Sequence, residues 1–182
     1  MTEIRLLGIC GSLRKASHNM TLLKTAQQLL PEGVSLQIAD LTEVPFFSAD
    51  LATKPAAVVV LLEAFQQADG FVFACPEYNY SIAPALKNAL DWASREPDNR
   101  LLAGKAAAIM GAGGGMGTSR AQYHLRQVGV FLDLHFVNKP EVFVNAFSGV
   151  FAADGSLQDD KIRANIQAQL IALQALVTQC KK

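Results

Sequence analysis

The stretch Gly11-Ser12-Leu13-Arg14-Lys15-Ala16-Ser17-His18-Asn19 concentrates hydrogen-bond donors just before a helical pattern. A phosphate monoester needs several donors converging from one side, and the free N–H groups at a helix start provide them. Ser12 and Ser17 add hydroxyls, Asn19 an amide and Arg14 a charged fork. Leu13 and His18 lie between them, with His18 read as an exposed loop residue that lends a backbone N–H. The plainer alternative is an ordinary capped turn, with Asn19 as the cap. No G-x-G-x-x-G follows this point and no G-x-x-x-x-G-K-[ST] occurs, so Rossmann dinucleotide and P-loop readings lose support.

A second stretch, Pro76-Glu77-Tyr78-Asn79-Tyr80-Ser81, offers a different chemistry. Proline and tyrosine make an apolar surface for a flat ring, while extended backbone offers donors and acceptors to the ring's polar edge. Asn79 either meets polar ring atoms or holds the turn. Glu77 either stays solvated or fixes a neighbouring loop, and is not assigned as a base. Alone, P-E-Y-N is only a turn with an aromatic tip. A third stretch, Gly111-Ala112-Gly113-Gly114-Gly115-Met116-Gly117, allows close approach of a ring edge at Gly111, Gly113 and Gly114. Its alternative is a mobile connection. Together, a phosphate cradle and a platform for a polar-edged ring point to flavin mononucleotide, FMN.

Other segments read as structural. Leu86, Ala89, Leu90 and Ala93 form a buried helical stripe, Lys87 and Asp91 an i,i+4 ion pair, and Trp92 core or interface. Cys75, lacking a neighbouring cysteine, reads as a buried structural thiol.

The three stretches must be carried by a common frame. Apolar runs at Ile4 to Cys10, Val34 to Ala39, Gly70 to Cys75 and Lys105 to Met110 read as strands, with a fifth on both sides of Pro140. Helical patterns span Asn19 to Leu30, with Met20, Leu23, Ala26, Gln27 and Leu30 on one side, then Ala56 to Ala68, Pro84 to Ser94, Thr118 to Leu132 and Asp159 to Cys180. Asp40 to Pro55 is a loop. Alternating strands and helices predict an α/β flavodoxin-like three-layer sandwich with a five-stranded parallel sheet in order 2-1-3-4-5. The loops after strands 1, 3 and 4 then share one rim. The whole chain, 1–182, reads as one domain.

Composition narrows the partners. Sixteen basic and sixteen acidic residues cancel, which gives no electrostatic case for nucleic acid or an anionic membrane. The first residues lack a signal-peptide pattern, and no apolar run is long enough to span a bilayer. Three scattered cysteines support neither a disulfide framework nor a zinc site, and no metal is expected. The expectation is a cytoplasmic protein.

With GSLRKASHN, PEYNYS, LKNALDW, the glycine stretch and RAQYHLRQ in this order, the chain resembles the NADPH-dependent FMN reductase family, in particular its quinone and chromate reductase branch. The resemblance covers nearly the whole chain and is weakest in Asp40 to Pro55 and after Val144. It implies that the Ser12, Arg14, Ser17 and Asn19 region binds the FMN phosphate. Pro76, Glu77, Tyr78 and Asn79 line the ring, and Gly111 and its neighbours close its other edge. Family members often carry Pro-Gly where this chain has Ala83-Pro84, and a hydroxyl residue where it has Gly111 and Ala112. Similar proteins are homodimers or homotetramers. Arg120, Tyr123, Arg126 and Glu141 either bridge subunits or form a network within the chain.

The implied activity is transfer of hydride from NAD(P)H through the flavin to a quinone or another small acceptor, such as chromate, azo or nitro compounds or free flavin. The flavin carries the chemistry, so no catalytic side chain is assigned. The rivals are a non-enzymatic flavodoxin-type electron carrier, which would favour a charged docking face, and a protein that kept the fold and lost the cofactor.

Overall fold

The strands and helices follow from where apolar side chains can be buried. The computed structural model describes residues 3–181. Strand β1 (Ile4–Cys10) pairs in parallel with β2 (Val34–Ile38) on one side and β3 (Gly70–Ala74) on the other. β3 is followed by a small antiparallel hairpin, β4 (Glu77–Tyr78) and β5 (Ser81–Ile82). Next in the main sheet comes β6 (Ala106–Gly113), which pairs with both β7 (His135–Phe136) and β8 (Val142–Asn145). The order β2-β1-β3-β6-β7, with β8 continuing beside β6, is the expected 2-1-3-4-5 arrangement, its fifth strand in two pieces.

Period-two alternation sends successive residues of each strand to opposite layers. Leu7, Ile9, Phe71, Phe73, Ala107 and Ile109 pack under helices α2 (Ala56–Gln67), α3 (Pro84–Ala93) and α4 (Ser119–Phe131). Leu6, Cys10, Val72, Ala74, Ala108 and Met110 pack under α1 (His18–Gln28) and α5 (Asp160–Cys180). The buried stripe of α3 is as expected: Leu86, Ala89, Leu90 and Ala93 are all in the core. That of α1 is not. Asn19, Leu22, Leu23, Thr25 and Ala26 face inward, while Gln27 lies outside and donates to the Leu36 carbonyl at 2.9 Å. The buried face is wider than the periodic stripe and includes two polar residues, Asn19 and Thr25.

The break in the fifth strand falls at Pro140, which has no N–H for the ladder. Two buried glutamines serve the carbonyls there. Gln169 of α5 donates to Ile109 O at 3.0 Å and Pro140 O at 2.9 Å, and Gln122 of α4 donates to Val142 O at 3.0 Å. β6 also runs three residues past the expected end at Met110. Gly111, Ala112 and Gly113 are strand, held by the register with Phe143, Val144 and Asn145. Glycine content argues for a loop locally, but a neighbouring strand offers these residues ladder partners.

Cys10 and Cys75 are buried and Cys180 is exposed. Burial, reinforced by the charge of Glu77, pushes the Cys75 thiol up to about 12, and burial also raises that of Cys10. A native-state titration with Ellman's reagent is therefore expected to modify Cys180 rapidly and the other two only after denaturation. Rapid modification of a second thiol would contradict this placement.

Candidate functional site

The C-terminal ends of β1, β3 and β6 lie side by side, with Cys10 opposite Ala74 and Ala74 opposite Met110. The three stretches singled out in the sequence leave from this rim. Gly11 is the hinge between the first two. A side chain there would bring Cβ to 2.8 Å from Pro76 Cδ and 3.1 Å from Ala83 Cβ, so only glycine lets these loops touch.

In the first loop, Ser17 is the N-cap of α1 and accepts from Met20 N–H at 3.2 Å. Ser12 Oγ accepts from Arg14 N–H at 3.4 Å. The N–H groups of Lys15 through Asn19 meet no acceptor among the described residues. Arg14 is exposed and forms no ion pair among them. Beside this loop, a cleft of about 400 Å³ opens toward Ile38 to Thr42. The Asn19 side chain, expected as a phosphate donor or helix cap, is engaged elsewhere in the chain, while its backbone N–H stays in the loop. Its buried amide donates to Ala112 O at 2.9 Å and accepts from Ala112 N–H at 3.0 Å, joining the first loop to the end of β6. His18 is half-buried rather than exposed, its ring stacked on Phe151 at 4.1 Å and 11°. Phe151 had no sequence signal, lying 133 residues away in a segment of weak resemblance.

In the second loop Pro76 is buried, and Tyr78 and Asn79 are exposed on the β4–β5 hairpin. Its turn residues, Asn79 and Tyr80, have φ of 50° and 65°. A two-residue hairpin turn of this kind requires positive φ at both positions; asparagine tolerates it and tyrosine seldom does. Glu77 fixes the neighbouring element, the second of its two expected roles. Its carboxylate accepts from Arg120 Nη1 at 2.7 Å and from the N–H groups of Arg120 and Ala121 at 3.2 and 3.3 Å. It thereby caps α4, whose own Thr118 makes no side-chain cap bond. The Glu77 carboxylate is thereby taken up within the chain.

In the third stretch only Gly114, Gly115 and Met116 form an exposed tip, closed by a Gly117 N–H to Gly114 O bond of 2.8 Å. Gly111 is buried and Gly113 half-buried. The residues grouped as a candidate bridging cluster are separately engaged within the chain. Arg120 pairs with Glu77, Arg126 donates to Val137 O and Asn138, and Glu141 pairs with Lys139. Tyr123 is exposed.

The LKNALDW segment has a job that its stripe did not reveal. Asn88 Nδ2 and Trp92 Nε1 both donate to Pro45 O, at 2.9 and 2.8 Å, and Asn88 Oδ1 accepts from Phe47 N–H at 2.9 Å. The irregular loop after β2 is thus pinned to α3. Lys87 and Asp91 form the expected surface pair at 2.7 Å.

The chain is similar to known proteins along nearly its whole length. A quinone reductase of Escherichia coli is 36% identical to this chain, over 98% of both. An NAD(P)H:quinone oxidoreductase of Solanum tuberosum is 48% identical over 98% of this chain and 95% of its own. An NAD(P)H-dependent FMN reductase of Pseudomonas aeruginosa is 49% identical over 98% of both. Among solved structures, the flavoenzyme FerB, an NAD(P)H:(acceptor) oxidoreductase from Paracoccus denitrificans, superposes with a TM-score of 0.84 at 29% identity, covering 98% of this chain and 97% of its own. Residues 4–149, which hold all three rim stretches, match the family model itself, and the chain belongs to the NADPH-dependent FMN reductase family.

Proposed function

We propose that this protein is an FMN-dependent NAD(P)H oxidoreductase that delivers electrons to quinones. The observation that carries the reading is the donor set of the first loop: five consecutive N–H groups and an Arg14 side chain without partners among the described residues, and the Ser12 hydroxyl, beside a hairpin that exposes Tyr78 and Asn79. Such a set suits a phosphate dianion, and it fits the phosphate end of FMN. Ser12, Leu13, Arg14, Ser17, His18 and Asn19 would form that end of the site. Pro76, Tyr78, Asn79 and the Glu77 backbone would meet the ring, with Gly111, Gly113 and Gly114 at its other edge.

When bound, FMN would supply the redox chemistry between NAD(P)H and an acceptor. The chain's own task is to bind and orient. Arg14 would hold the phosphate charge at one end of the site, and the hairpin backbone would meet the ring's polar edge. Glu77 is engaged with α4 and the Cys10 and Cys75 thiols stay protonated, so none of the three serves as base or nucleophile. Quinone is the favoured acceptor because the relatives above bear that name.

Anaerobic NADPH is expected to bleach the bound flavin, and a quinone to restore its absorbance; a flavin that stays oxidised would sink the reading. Steady NADPH oxidation with quinone alone separates an enzyme from an electron carrier. Arg14→Ala is expected to weaken FMN binding by about tenfold or more while leaving riboflavin unaffected, since charge-assisted bonds to phosphate contribute about 1.5–3 kcal/mol. Equal loss for both ligands would place Arg14 elsewhere.

The assembly we propose is a homodimer or homotetramer in the cytoplasm. Tyr123, Val130 and Phe131 leave an exposed apolar surface on α4 that supports association, and elution at the monomer mass would refute it. The free thiols of Cys10 and Cys75 suit a reducing compartment, which cell fractionation can check. Among the described residues no helix is long and apolar enough to cross a membrane.

A further inference from the structure

The hairpin that presents Tyr78 and Asn79 has little to hold it locally. Its strands are two residues each, too short to be stable alone, and both turn residues sit in the left-handed region. Its support comes from α4. Glu77 binds the α4 N-terminus and the Arg120 side chain. The Arg120 guanidinium also lies 3.9 Å from the centre of the Tyr80 ring, and His124 Nδ1 is 3.0 Å from Ser81 Oγ. Three hairpin residues, Glu77, Tyr80 and Ser81, are therefore gripped by two side chains one helical turn apart. One planar fork pairs with a carboxylate and covers an aromatic face at once, a combination that lysine cannot reproduce.

We infer that Arg120 and Glu77, with His124, form a positioning clamp that holds the hairpin backbone in register with the flavin ring and so sets FMN affinity and reduction potential. The inference rests on the FMN reading above. Since the Arg120 and Glu77 charges neutralise each other, the clamp works through geometry: a loosened hairpin presents its backbone groups less steadily to the ring. Reduced flavin gathers negative charge and gains most from steady donors, so the potential falls when the clamp is cut.

The test titrates FMN into full-length protein stripped of flavin, following flavin fluorescence, with melting temperature as a check on folding. Arg120→Ala and Glu77→Ala are each expected to weaken binding by about tenfold, and the double variant no further than the weaker single variant, as for two ends of one interaction. Arg120→Lys recovers only part of the loss, and flavin-saturated Arg120→Ala has a lower midpoint potential than the parent. His124→Ala, at an exposed helix position, keeps the test available if a clamp variant fails to fold, and is expected to weaken FMN by about threefold. Additive single effects, or affinities and potentials within error of the parent, would overturn the clamp alone. A parent protein that binds no FMN would overturn the clamp and the flavin reading together.

Discussion

Gly111→Ala is expected to lower the free energy of unfolding by about 3 kcal/mol, at the upper end of overpacking effects. A Cβ at this position would overlap Thr118 Oγ1 and approach the Cys75 carbonyl oxygen to 2.5 Å. Neither neighbour can give easily. Thr118 is fully buried and its hydroxyl accepts from Gln122 Nε2 at 3.1 Å, while Cys75 is backbone at the end of β3. Urea denaturation measures the loss, and a change below about 1 kcal/mol would show that the rim can relax. Adding Thr118→Ala should return part of the stability, since one of the two obstructions goes. The same contact gives a reading of the family difference at this position. The space that a side chain at 111 would occupy is already filled by Thr118, so the missing hydroxyl is linked to an internal contact.

Asn19→Ala is expected to cost about 2–4 kcal/mol and to weaken FMN binding as well. The amide makes two hydrogen bonds to the backbone of Ala112, and its loss leaves a buried N–H and a buried C=O unpaired, each costing about 1–3 kcal/mol. It also unties the first loop from β6, so the donors of Lys15 to Asn19 lose their fixed relation to the rest of the rim. Asn19→Asp separates the contributions. A carboxylate still accepts from Ala112 N–H but repels Ala112 O, so this variant is expected to be no more stable than Asn19→Ala. Denaturation midpoints and FMN titrations of both variants check the pair; full stability in Asn19→Ala would mean that water replaces the amide.

Much of this protein was legible from its residue order alone. The sheet order and the rim followed from five apolar strands alternating with helices, because burial on both faces leaves a pattern in consecutive residues. The first loop was legible for a similar reason. Its donors lie within nine positions, Gly11 to Asn19, and a helix start orients them whatever the rest of the chain does.

What tertiary structure alone decided concerns partners far apart in sequence. Asn19 meets Ala112 across 93 positions, Glu77 meets Arg120 across 43, and Asn88 meets Pro45 across 43. Gly111 to Gly113 became strand because β8 lay beside them, and Glu77 became a helix cap because α4 begins next to the hairpin. Periodicity records which face of an element is buried and cannot record which polar atom waits there. The sequence therefore located the donor-rich first loop and the aromatic hairpin, and the fold decided that the side chains of Asn19 and Glu77 serve to hold those parts in place.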